Sequence, residues 1–114
     1  MAERLIPTPI MHRAVVHGGL VFLGGATCDD EGLDMGGQVR QILRKLDGYL
    51  AEAGSDKTRL LAATLYVTDL GMKPQLDAAW KEWLAPGDFP ARATVGVADL
   101  GGATLVEISV IAHT

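Results

Sequence analysis

The sequence predicts an α+β fold, a ββαβαββ chain whose two helices pack on one face of a mixed sheet. Two stretches of helical periodicity stand among runs of period-two alternation, and the turn signals between them are short. The length, 114 residues, suffices for one hydrophobic core but not for two, so residues 1–114 are expected to form a single domain.

Arg13 to His17 and Leu20 to Leu23 are short apolar runs joined by Gly18-Gly19, which supplies the positive φ angles of a tight hairpin. Cys28 to Asp34 is a polar, acidic loop, and Asp34 is placed to cap a helix. Val39, Ile42, Leu43, Leu46 and Leu50 then recur at helical spacing, and Gly54 stands where a helix C′ glycine belongs. From Leu60 to Leu70 the residues Leu61, Ala63, Leu65 and Val67 alternate with Ala62, Thr64, Tyr66 and Thr68, a strand buried on at least one face. Pro74 opens a second helix in its first turn, with Leu76, Ala79, Trp80 and Trp83 on one stripe, and Pro86-Gly87 marks its end. Ala91 to Ala98 and Leu105 to Ala112 are the last two strands, linked by Asp99-Leu100-Gly101-Gly102.

Each of those last strands carries one charge inside an otherwise buried pattern: Arg92 in the first and Glu107 in the second. A charge in such a place costs several kcal/mol unless it is paired or binds something. Arg92 and Glu107 are therefore a structural ion pair or the polar parts of a ligand pocket. Two helices cannot cover both faces of a sheet. Leu105 and Ile111, which alternate on the same side as Glu107, are expected to lie uncovered beside Arg92 and Glu107 and to be covered by another subunit. A ring-like homo-oligomer with pockets at subunit contacts follows.

Composition narrows the function classes. Hydrophobic residues make up 48% and charged residues 21%, ordinary for a soluble globular protein. The net charge is −4 and the pI about 5.2, with no basic cluster of the kind that holds phosphates, which argues against a nucleic-acid partner. No apolar run approaches a membrane span, the start lacks a signal-peptide core, and the single Cys28 fits a reducing compartment; a cytoplasmic location is expected. His12, His17 and His113 have no metal-ligand spacing, so no metal is expected. Cys28 sits among Asp29, Asp30 and Glu31, whose charges make its thiolate scarce. Gly24-Gly25 lacks the spacing of a phosphate loop and reads as a place of close backbone approach.

A resemblance joins these pieces. Gly18 to Gly25, Gln38 at the opening of the first helix, Leu50-Ala51-Glu52-Ala53-Gly54, Tyr66-Val67-Thr68-Asp69-Leu70, Pro90-Ala91-Arg92 and Val106-Glu107-Ile108 follow one another in an order and spacing that resembles the RidA family, also called the YjgF or L-PSP endoribonuclease family. The resemblance runs from about Arg13 to Ala112. It implies a chorismate-mutase-like fold and a homotrimer with a barrel-like centre and a pocket at each subunit interface. It also implies hydrolysis of reactive imines or enamines such as 2-aminoacrylate to 2-oxo acids and ammonia, with no metal or organic cofactor. On that pattern Arg92 clamps the substrate carboxylate through two parallel hydrogen bonds. Glu107 positions or activates the attacking water, and Gly24, Gly25 and Thr94 line the pocket.

The chain departs from the family pattern at four places. Gly24-Gly25-Ala26 replaces a frequent Ser-Gly-Gln, Asp77 replaces a helix asparagine near the pocket, Thr94 takes the place of a frequent cysteine, and Met11 stands where the deaminases have a tyrosine. A trimer that holds a metabolite without turning it over is the alternative that the lost serine and Asp77 favour. A ribonuclease or translation inhibitor is a further alternative, opposed by the acidic charge.

Overall fold

The computed structural model describes residues 1–114 as one six-stranded sheet under two helices. The strands are β1 (Glu3–Pro7), β2 (His12–His17), β3 (Leu20–Ala26), β4 (Leu60–Val67), β5 (Ala91–Gly96) and β6 (Val106–His113), and the helices are α1 (Met35–Glu52) and α2 (Lys73–Trp83). The order across the sheet is β1-β2-β3-β6-β4-β5. All neighbours run antiparallel except β4 and β5, which are parallel because α2 crosses between them.

The expected elements are present, with one strand added ahead of them. β1 pairs with β2 at the edge of the sheet, where Pro7 can end a strand without breaking a ladder hydrogen bond. Its five residues, which end in Pro7, carry too little alternation to mark a strand.

Helix α1 begins and ends as its sequence dictates. The Asp34 carboxylate accepts from the Gly37 N–H at 2.8 Å. At the other end Gly54 turns at φ +79°, its N–H bonding to the Ala51 carbonyl and that of Ser55 to the Leu50 carbonyl. Those two bonds satisfy carbonyls the helix would otherwise leave open. Val39, Ile42, Leu46 and Leu50 are fully buried against the sheet. Each contributes on the order of 1.5–3 kcal/mol by leaving water.

The sheet's helix-facing side is buried along β4 and β6. Ala63, Leu65 and Val67 of β4 stand beside Val110, Ile108 and Val106 of β6, all buried in one core. The opposite side is left uncovered by the chain: Phe22 is 41% and Val95 40% exposed, with Thr64, Ser109 and Ile111 half-buried between them. Ile111 thus lies on the uncovered face with Glu107, as expected, but half-buried and not beside Arg92. Leu105 does not: it precedes β6, packs against the core, and its N–H bonds to the buried Gln38 side chain at 2.9 Å.

Candidate functional site

Register decides where the two strand charges go. Arg92 stands opposite Ala63 of β4, whose other neighbour is Val110. Residues opposite one another in a sheet point to the same face, so Arg92 and Thr94 lie on the helix side. Glu107 stands opposite Tyr66, in a row with Val95, on the uncovered side. The expectation that Arg92 and Glu107 share a face is therefore corrected: within one chain they lie on opposite faces, and no ion pair joins them.

Arg92 is sheltered by α2. Its guanidinium carbon lies 5.3 Å from the centre of the Trp80 ring, a cation–π contact. Nη2 donates to Asp77 Oδ1 at 2.5 Å and to Thr94 Oγ1 at 3.0 Å, and Nε donates to the same hydroxyl at 3.3 Å. The Arg92 and Asp77 side chains are 19% and 29% exposed. Asp77 is also held from its own helix, one turn back, by Lys73 Nζ on Oδ2 at 2.9 Å. Burial acts to raise the Asp77 carboxyl, but hydrogen bonds from Lys73 and Arg92, with their charges, outweigh it and hold the group below the ordinary carboxylate range. Arg92, Asp77 and Trp80 line a cleft of about 300 Å³ together with Lys73, Lys81, Phe89 and Pro90.

Glu107 occupies a different environment. A Cβ at Gly25 would come within 2.9 Å of the Glu107 carboxyl carbon, so a larger residue here would push the Glu107 carboxylate out of its present position. Gly24 and Gly25 fall in the register break of β3 between Leu23 and Ala26. Met11 lies over Gly24, its sulfur 3.3 Å from where a Cβ would stand. Glu107 is half-buried with no hydrogen-bond partner in the chain.

The sequence-derived residues thus fall into two groups: Arg92, Thr94 and Asp77 in the cleft, and Glu107, Gly24 and Gly25 on the uncovered face. Trp80, Lys73 and Phe89 were not among the expected site residues. Trp80, on the apolar stripe of α2, both packs in the core and lines the cleft, 3% exposed yet in contact with Arg92. No three His, Cys, Asp or Glu side chains gather to hold a metal ion. Cys28 is buried, and burial first, then the Glu31 charge, pushes its thiol up.

A family model described as Endoribonuclease L-PSP matches residues 3–114. A RutC family protein from Haemophilus ducreyi is 33% identical over 95 residues, 83% of this chain and 81% of the relative. Among solved structures, a member of the YjgF protein family from Neisseria meningitidis superposes with a TM-score of 0.93 at 32% identity, covering 100% of this chain and 95% of that one. A Pseudomonas aeruginosa structure gives 0.94 at 28% identity, covering 99% and 98%. No helix is long and apolar enough to cross a membrane.

Proposed function

The chain belongs to the L-PSP endoribonuclease family, the RidA or YjgF family, and from that premise we propose that it hydrolyses a small imine or enamine bearing a carboxylate to a 2-oxo acid and ammonia. One observation carries the reading: a half-buried guanidinium seated on an aromatic ring in the lining of a cleft, with Nη1 free of any protein partner. A planar guanidinium so placed suits a carboxylate, and Trp80 and Thr94 fix its plane.

The chemistry asks for little more. Water oxygen bonds to the imine carbon, the C–N bond of the resulting carbinolamine breaks, and the nitrogen leaves as ammonia. Glu107 takes the water proton as the C–O bond forms and returns one to the departing nitrogen. Arg92 holds the carboxylate so that the imine carbon faces that water. Because Arg92 and Glu107 lie on opposite faces of one sheet, we assign them to different copies of the chain. Each pocket of a homotrimer then takes Arg92, Thr94 and Asp77 from one protomer, and Glu107, Gly24 and Gly25 from its neighbour. The uncovered apolar face with Phe22 and Val95 supports such an assembly. The location we propose is cytoplasmic, where pyridoxal-phosphate enzymes release such imines.

The test is a coupled assay in which a dehydratase generates imino acids and semicarbazide competes for them. Wild type is expected to suppress semicarbazone formation; Arg92→Ala and Glu107→Gln are each expected to lose that effect. Mixing the two inactive variants under conditions of subunit exchange should restore about a quarter of the wild-type rate, the share of pockets that take both intact residues. Two active single variants would sink the reading. Inactive variants that fail to complement would remove the shared pocket.

A metabolite-holding trimer without turnover is the second reading, favoured by the Asp77 carboxylate already set against Arg92. It is distinguished by a rise in melting temperature with a 2-oxo acid and no effect on semicarbazone formation. Phosphodiester cleavage, which the family description names, has less support: no histidine lines the Arg92 cleft, and the chain is acidic.

A further inference from the structure

The guanidinium of Arg92 has two edges that can grip a carboxylate with paired N–H groups, and both use Nη2. The Nε–Nη2 edge is taken by the Thr94 hydroxyl, at 3.3 and 3.0 Å. The Nη1–Nη2 edge is half taken by Asp77, through Nη2 at 2.5 Å. An incoming carboxylate can therefore reach only Nη1 unless one of these partners lets go. The Thr94 hydroxyl accepts both of its bonds as a neutral group, whereas the bond to Asp77 joins two charges. Departure of either partner opens a two-bond edge, but only that of Asp77, on the edge where Nη1 is already free, also removes the negative charge that opposes an incoming carboxylate.

Asp77 is also built to leave. Its second oxygen is held by Lys73 at 2.9 Å, one helical turn away on the same face of α2. A rotation of the Asp77 side chain away from Arg92 leaves the carboxylate neutralised by Lys73. A ligand carboxylate then meets a compensated pair and not a bare like charge. The cleft's cations, Lys73, Lys81 and Arg92, outnumber its one carboxylate, so an anion remains welcome after the exchange.

We propose that Asp77 is an internal stand-in for the substrate carboxylate: it holds Arg92 in place in the empty site, must be displaced by the ligand, and so sets the affinity for monocarboxylates. The inference rests on Arg92 being the carboxylate anchor. Exchanging a charge-assisted bond for a neutral one changes affinity by about tenfold.

The test titrates pyruvate and its methyl ester calorimetrically into wild type, Asp77→Asn, Asp77→Ala and the double variant Asp77→Asn with Arg92→Ala. Asp77→Asn is expected to bind pyruvate about tenfold more tightly, to leave methyl pyruvate unchanged, and to lose the gain when Arg92 is also replaced. Asp77→Ala should move in the same direction, which keeps the test available if one variant folds poorly. Equal pyruvate affinity in wild type and both Asp77 variants, all dependent on Arg92, would overturn the stand-in role while leaving the anchor intact. Weaker binding in the Asp77 variants would overturn it in the opposite sense, making Asp77 a support. No Arg92-dependent pyruvate binding in any protein would overturn both the stand-in and the anchor.

Discussion

Two arginine–carboxylate pairs involve helix α2, each in a cleft with a tryptophan, and they do different things. Arg40 of α1 meets Glu82 through Nε and Nη2, at 3.0 and 3.2 Å, beside Trp83. Arg92 meets Asp77 beside Trp80, whose ring centre lies 5.7 Å from that of Trp83. The outer pair is complete: both carboxylate oxygens and one full guanidinium edge are used, and the side chains are 46% and 59% exposed. The inner pair is incomplete. Asp77 divides its oxygens between Arg92 and Lys73, Arg92 divides its nitrogens between Asp77 and Thr94, and Nη1 is left over. A matched pair in water ties two helices loosely; a mismatched pair, half-buried on a ring, leaves a guanidinium nitrogen without a protein partner.

The largest way to break this comparison is to remove the rings. Trp80 is 3% exposed, so Trp80→Ala is expected to cost about 3–5 kcal/mol in urea unfolding. The same change should release Arg92 from its plane. Trp83 is half-buried, with its N–H 3.1 Å from each oxygen of Asp47, and Trp83→Ala should cost clearly less. Equal losses at both positions would show that the ring under Arg92 belongs to the same structural class as its neighbour.

How much of this was legible in the sequence depended on whether the signal was local. Asp34, Gly54 and the apolar spacing of α1 specify that helix through contacts within a few residues, and the structure follows them. The alternation of β6 also reads correctly, because a central strand shows its buried face as Val106, Ile108 and Val110. The edge strand β5 misleads: Val95 is exposed while Arg92 and Thr94 are half-buried, because α2 shelters the polar side. Alternation tells which residues of one strand share a face, but the register between strands tells which face that is. The Asp77–Arg92 contact spans 15 residues and carries no pattern, so only the family resemblance marked Asp77. The Gly25–Glu107 contact had a signal, a glycine inside a strand, that named close approach without naming the partner.

A smaller effect sharpens the comparison through pH. The Asp77 carboxyl is held below its ordinary value near 3.8, despite burial, by Lys73 and Arg92. A carboxyl with a depressed native pKa adds stability in full above its unfolded value and loses it as the pH falls through the native one. Asp77→Asn should therefore flatten the decline in stability below about pH 4, by about 1 kcal/mol or less for a half-buried pair. Chemical unfolding of wild type and variant at pH 7 and pH 3 measures it. A variant that declines as steeply as wild type would show that Arg92 and Lys73 do not favour the charged form.

The smallest effect belongs to the outer pair, and its smallness is what the comparison requires. Hydrogen bonds and charge from Arg40 draw the Glu82 carboxyl down in the same direction as Asp77. Direction alone therefore does not separate the two pairs. What separates them is access to water: around Arg40 and Glu82 the solvent competes for every bond, and dissolved salt screens the charges over about 10 Å at 0.1 M. Arg40→Ala is thus expected to leave the melting temperature unchanged at physiological ionic strength, and any loss at low salt should vanish on adding salt. The same salt series on Asp77→Asn should leave most of its effect on pyruvate affinity, because the Arg92 and Asp77 side chains, 19% and 29% exposed, are in direct contact and less screened than the outer pair. If both effects fade together, the half-burial of the inner pair does not set it apart, and its unused Nη1 would be a surface group like any other.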